Sequence, residues 1–210
     1  MSLEPLKRID RKPGDGSWQV TKLQAAATEL SRAMRVLMYE DDALSAHVLG
    51  SAALEIIDTL CRVAGKQTLR DLVMEHVKDE AKAAFRRLLN EEYNFFKHAD
   101  RDHDAVNDVY NPGLTEMLLW EACVGIHQLI GKVTFDGLVY IEWYISNHPD
   151  LVLEDYAEKL GAMRALITAF YDGQGRMSRD TAIDLLRTLD ENSKEMQPQL
   201  AAFGAKPPKE

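Results

Sequence analysis

The stretch Ala43-Leu-Ser-Ala-His47-Val-Leu-Gly-Ser51-Ala-Ala-Leu-Glu55-Ile-Ile-Asp58-Thr-Leu-Cys61-Arg-Val-Ala-Gly65 decides the fold. Asp41-Asp42 opens a helix there, and Gly65 suits the position just past its end. Leu44, Val48, Leu49, Ala52, Ala53, Leu54, Ile56, Ile57, Leu60 and Val63 leave it apolar on nearly every face. Such a helix is predicted to be a central one, wrapped by others.

Working outward, Thr21 can cap an earlier helix whose stripe is Leu23, Ala27, Leu30, Met34 and Leu37. Thr68 begins a pattern that runs from Leu69 to Phe96, either as one helix or as two broken near Lys78-Asp79. Asn111-Pro112-Gly113 is a turn signal, and Leu114 to Ile130 follows, closed by Gly131. An aromatic segment, Phe135 to Ile145, comes before His148-Pro149. Leu153, Tyr156, Leu160, Met163, Ile167 and Phe170 make another helical stripe, and Ser178 caps a last short helix with Ile183, Leu186 and Leu189. Nothing alternates like a strand for long. The fold class is therefore all-α, a bundle of about six to seven helices over residues 19–191, between a flexible arm at 1–18 and a flexible tail at 192–210.

A hydrophobic content of 46% over 210 residues suffices for a core and argues against disorder. The net charge of −9 at pH 7, with no basic run longer than Arg86-Arg87, gives no footprint for gripping a nucleic-acid backbone. Cys61 and Cys123 lie inside apolar helical patterns and read as buried thiols in a reducing cytoplasm. No signal segment is evident, and the run from Met117 to Ile130 is too short to span a bilayer, so no membrane partner is expected. Trp120, Trp143 and Tyr144 suggest more apolar helical surface than one core needs, hence a homodimer. No cofactor is expected.

The candidate site residues come from two stripes. His47, Ser51, Glu55 and Asp58 recur at steps of four, four and three on the apolar helix. Buried polar groups need partners, so these either bond to neighbouring helices and fix packing or line a polar pocket. The second stripe closes the following helix: Arg87, Asn90, Asn94, Lys97 and His98, with Asp100 and Arg101 beyond. His98 with Asn94 could be a general base and its orienting amide. The simpler reading is a histidine favoured by a helix C-terminus. The catalytic candidates are thus His98, Asn94 and His47. A continuous helix over 69–97 would place His47 opposite about residue 86, and His98 a further ~18 Å away. The two can meet only if that helix breaks, or if another helix crosses between.

His98, Asp100, Asp102, His103 and Asp104 are metal-ligating residue types, but the chain has no Glu-x-x-His with which a helical di-metal site is built, so no metal site is assigned. Arg70 to His76 fits Arg-x(4–6)-His at a spacing expected by chance.

Leu44-Ser-Ala-His47-Val-Leu-Gly-Ser-Ala-Ala-Leu-Glu55 and Asn94-Phe-Phe-Lys-His-Ala-Asp-Arg-Asp102 resemble a family of bacterial helical proteins to which no activity is attached, over roughly residues 20–150. More distantly, a helix bearing His followed by an Ala-Ala-x-Glu-like run is similar to the HEPN superfamily. That resemblance implies a small helical bundle, often dimeric, and in many members a metal-independent ribonuclease of a defence or toxin–antitoxin system. Its Arg-x(4–6)-His has no counterpart at the end of the third helical pattern, where Arg87 stands eleven residues before His98. The leading expectation is a bacterial ligand- or partner-binding domain, taking an unknown small molecule or protein. A HEPN-like ribonuclease or its inactive relative is the second reading, and a metal-dependent hydrolase the third.

Overall fold

A computed structural model describes residues 20–97, 103, 104, 106, 107, 110–149 and 176–202. The fold is all-α, with seven α-helices and no strand among the described residues. They are α1 (Lys22–Arg35), α2 (Ala43–Val63), α3 (Leu69–His76), α4 (Asp79–Lys97), α5 (Pro112–Ile130), α6 (Phe135–Asn147) and α7 (Arg179–Ala202). A π-helical turn, Val36–Glu40, extends α1. The expected arm at 1–18, the stripe from Leu153 to Phe170, and His98, Asp100, Arg101 and Asp102 lie outside the described residues.

Short polar side chains start the helices by accepting from amides that have no partner within the helix. Thr21 accepts from the Gln24 amide at 3.1 Å while Gln24 Oε1 accepts from the Thr21 amide at 2.9 Å, a reciprocal capping box. Asp42 accepts from the Ser45 amide at 3.0 Å, Asn111 from Gly113 at 3.0 Å with Pro112 in the first turn, and Ser178 from Thr181 at 3.0 Å. Gly131, at φ 72°, ends α5 and donates to the His127 carbonyl at 2.7 Å. Thr68 builds a second capping box with Asp71.

The pattern after Thr68 is two helices. Val77 leaves the helical region at φ −87°, ψ 132°, and α4 restarts from the Lys78 carbonyl. At the other end of the chain, α7 is not short and continues to Ala202, beyond the expected boundary at 191. Glu191, Lys194, Glu195, Met196, Gln197, Leu200, Ala201 and Ala202 are helix formers, and they outweigh the tail-like reading of Pro198.

The described residues fall into two compact units that meet in sequence at Gly131 and Lys132, and the expected 19–191 domain spans both. In the first unit α2 packs against α1 and α5, with α4 also on α2 and α3 on α5. Ala26, Leu30, Ala33 and Met34 of α1, Ala53, Leu54 and Ile57 of α2, and Leu119, Ala122 and Ile126 of α5 are buried. Cys61 and Cys123 are buried thiols, as expected. In the second unit α6 packs on α7. The segment before α7 is tied to α6: Asn147 Nδ2 donates to the Met177 carbonyl at 2.9 Å and the Met177 amide to Ser146 Oγ at 3.0 Å. Trp143 and Tyr144, offered as dimer surface, are buried.

The central helix is only partly enclosed. Leu44, Val48 and Val63 of α2 are exposed, and Leu60 is half-buried. His47, Ser51 and Asp58 are buried instead. By length and composition α2 could cross a membrane. Half of that span is nonetheless covered by protein, as in the core helix of a globular fold.

α2 and α5 approach closely at glycines. A Cβ on Gly125 would stand 2.6 Å from Ile57 Cγ2, an atom of a β-branched side chain with little rotamer freedom. Gly125→Ala is expected to destabilise the first unit by about 1–3 kcal/mol through overpacking, read as a lower urea midpoint at unchanged slope. An unchanged midpoint would show that the two helices can separate freely.

Candidate functional site

A cleft of about 400 Å³ opens between α2, α3 and α4. Ser51, Glu55, Asp58 and Arg62 line it from α2, with Leu54 and Thr59. Arg70 enters from α3, and Leu89, Asn90, Tyr93, Asn94 and Lys97 from α4. The two walls follow from helix geometry: Ser51, Glu55, Asp58 and Arg62 step by four, three and four, and Asn90, Asn94 and Lys97 by four and three.

Arg70 joins the pieces. Its Nε donates to Glu121 Oε1 of α5 at 2.8 Å, and its Nη1 to Asn90 Oδ1 of α4 at 3.3 Å. In an unbroken helix, residues 70 and 90 would be about 30 Å apart. The break after Val77 is what folds α4 back until they touch. Two of the five guanidinium N–H donors are used by these bonds. Burial pushes the Glu121 carboxyl up to about 7, although Arg70 pulls the other way. Burial also raises the Asp58 carboxyl against the pull of Arg70 and Arg62. Arg62 stands 3.6 Å from Asp58, a long ion pair with the guanidinium largely in solvent. Lys97 Nζ lies 5.0 Å from the centroid of the Tyr93 ring, a cation–π contact. Ser51 Oγ is buried and has no hydrogen-bond partner.

His47 belongs to a different cluster, one turn before Ser51. Its Nδ1 is 3.0 Å from Thr115 Oγ1, and Tyr110 shares that hydroxyl at 2.5 Å while donating to the Ala43 carbonyl at 2.9 Å. Phe96 and Tyr110 present edges to the imidazole, with centroids at 5.7 and 6.2 Å. Glu92 Oε2 lies 3.9 Å from Nδ1 and is buried without a hydrogen bond. Burial, helped by Arg70, pushes the imidazole down to about 4, and burial raises Glu92. The imidazole is therefore neutral at neutral pH, and burial opposes ionisation of the carboxyl beside it. The cluster joins α2, α4 and the start of α5 through packing.

The sequence-derived candidates divide accordingly. Ser51, Glu55, Asn90, Asn94 and Lys97 are brought together at the cleft. Arg87 is exposed and not among the lining residues, because the cleft ends before α4 has run back to it. His47 packs behind the cleft instead of lining it. With α4 folded back, His47 meets Glu92 and Phe96, not residue 86. His98, Asp100 and Arg101 lie outside the described residues. Arg70 and His76 form no pair: Arg70 turns to Glu121 and Asn90, and His76 is exposed. Among the described residues no three His, Cys, Asp or Glu converge as metal ligands. Sequence reasoning did not assign Arg70, Arg62 and Tyr93 to the site. Asp58 was visible on the α2 stripe, and Glu121 as a charge interrupting the apolar run of α5.

No family model, no curated protein and no solved structure matches the chain.

Two buried groups titrate in opposite senses. Glu121 is raised, so between about pH 4.5 and 7 the folded chain holds a proton that the unfolded chain has released, and its contribution to stability falls as pH rises. His47 is depressed, so between about pH 4 and 6.5 the unfolded chain binds the extra proton, and its contribution rises with pH. The stability difference between wild type and Glu121→Gln should therefore decline from pH 4.5 to 7, by up to about 3 kcal/mol. Urea titrations at four pH values would measure it. A difference independent of pH would refute the raised carboxyl.

Proposed function

We propose that this chain is a ligand-binding helical domain of bacterial type, cytoplasmic and homodimeric, whose first unit takes a small polar molecule in the cleft between α2, α3 and α4. The observation that carries this reading is Ser51: a buried hydroxyl with no hydrogen-bond partner on the wall of a cleft of about 400 Å³. Buried polar groups are normally paired, and an orphan costs about 1–3 kcal/mol. A ligand that completes it recovers that cost. The volume lies within the range of small-molecule pockets, roughly 300–1,000 Å³. Arg70 supports the reading because it is held from behind, which pre-organises one wall.

Ser51→Ala separates a binding wall from a packing contact. Removing an orphan hydroxyl should leave the ligand-free protein as stable as wild type or more so, by up to about 1–3 kcal/mol. The same change should weaken the thermal stabilisation given by a small polar compound found in a screen of metabolites of all charge types. If Ser51→Ala is destabilising, the hydroxyl is a packing partner. If no compound of any charge raises the wild-type melting temperature at millimolar concentration, the cleft is not a ligand site. Light scattering at micromolar concentration tests the dimer, and a 23.7 kDa particle would refute it.

A further inference from the structure

The cleft carries both signs of charge, with Glu55, Asp58 and Arg62 from α2, Arg70 from α3 and Lys97 from α4. On α2, Ser51, Glu55 and Asp58 place a hydroxyl and two carboxylates along one line of the helix. An acceptor line of this kind suits the N–H donors of a primary ammonium group, which neighbouring members can share. Facing them, Arg70 of α3 and Lys97 of α4 supply cations, and Asn90 and Asn94 supply amides. Arg70 has guanidinium donors left after bonding Glu121 and Asn90. A guanidinium fork beside an ammonium suits a carboxylate or a phosphonate-like group. Asp58 is buried, and Arg62 reaches it only at 3.6 Å. Ser51 Oγ, also buried, has no partner at all. A lone anion in the cleft would meet Glu55 and Asp58, and a lone amine would meet Arg70 and Lys97. Either would have like charge beside it, whereas a molecule carrying both signs can set each end against its opposite.

We propose that the cleft binds a small zwitterion, its ammonium group on Ser51, Glu55 and Asp58 and its anionic group on Arg70 and Lys97, an inference that rests on the cleft being a ligand site. The class includes amino acids and aminophosphonates.

Calorimetry of the full chain at low salt with four probes tests it: 4-aminobutyrate, 3-aminopropylphosphonate, butyrate and butylamine. At least one zwitterion should bind ten-fold or more tightly than both singly charged probes. Which zwitterion binds tells carboxylate from phosphonate. Asp58→Asn, close to isosteric, should weaken that zwitterion at least ten-fold and leave butyrate no weaker, since it removes a like charge. Lys97→Met, at an exposed position, should weaken the zwitterion comparably and leave butylamine no weaker. Melting temperatures of both variants near the wild-type value exclude loss of folding as the cause. If butyrate or butylamine binds as tightly as the zwitterions, or if zwitterion affinity survives both substitutions, the inference is overturned. If none of the four binds while another compound of the metabolite screen does, the zwitterion class is wrong and the ligand site stands. If no compound of any charge binds, both fall together.

Discussion

The close contact between α2 and α5 is the constraint from which the first unit is built. At Gly50 the space that a Cβ would need is occupied by Leu118 and Leu119, and at Gly125 it is occupied by Ile57. Each glycine receives a bulky side chain of the opposite helix, so the two backbones approach closely over about two turns. One side of α2 is closed by this contact and by α1. A helix with 3.6 residues per turn then has its polar stripe at the border of that contact, where α3 and α4 must cover it. The apolar positions left over, Leu44, Val48 and Val63, are exposed, and singly exposed apolar side chains are tolerated far better than buried charges without partners.

Arg70 is the second support, and it depends on the first. Burying a guanidinium is costly unless hydrogen bonds and a counter-charge compensate it. Glu121 supplies the counter-charge from α5, and Asn90 supplies a carbonyl from α4. An eight-residue helix such as α3 has little stability of its own. The Thr68 capping box and the buried Met74 hold it, and Arg70 joins it to two longer helices. The pair also ties the cleft to the core, since removing Glu121 would release the side chain that shapes one wall.

Helix starts were legible because a cap is local. Thr21, Asp42, Thr68, Asn111-Pro112 and Ser178 act within three residues of themselves, and each lies where its pattern placed it. The break after Val77 was only half legible, since no proline or glycine marks it and the extended conformation of one valine makes it. That one uncertainty hid Arg70, whose place in the site exists only once α4 has turned back. The apolar circumference of α2 also misled. Composition counts methyl groups on a helix, but burial depends on which neighbours arrive, and they arrived over His47, Ser51 and Asp58. The stripes Ser51–Glu55–Asp58 and Asn90–Asn94–Lys97 were readable because residues four apart share a face whatever the helix packs against.

One stripe on α2 has two fates, and α4 decides between them. Where Glu92 and Phe96 meet it, with Tyr110 arriving from the start of α5, aromatic edges surround His47 and its nitrogen finds Thr115. Where Asn90 and Asn94 meet it, flanked by Leu89, Tyr93 and Lys97, a cleft remains in front of Ser51, Glu55 and Asp58. Residues 92 and 96 lie on one line of α4, and 90 and 94 lie on another, about 160° of helix rotation away for residues two apart. The difference between a packed cluster and a cleft is thus a matter of which α4 side chains reach the α2 stripe at each level. His47 and Ser51 are separated by a single helical turn, yet the imidazole finds a protein partner and the Ser51 hydroxyl finds none.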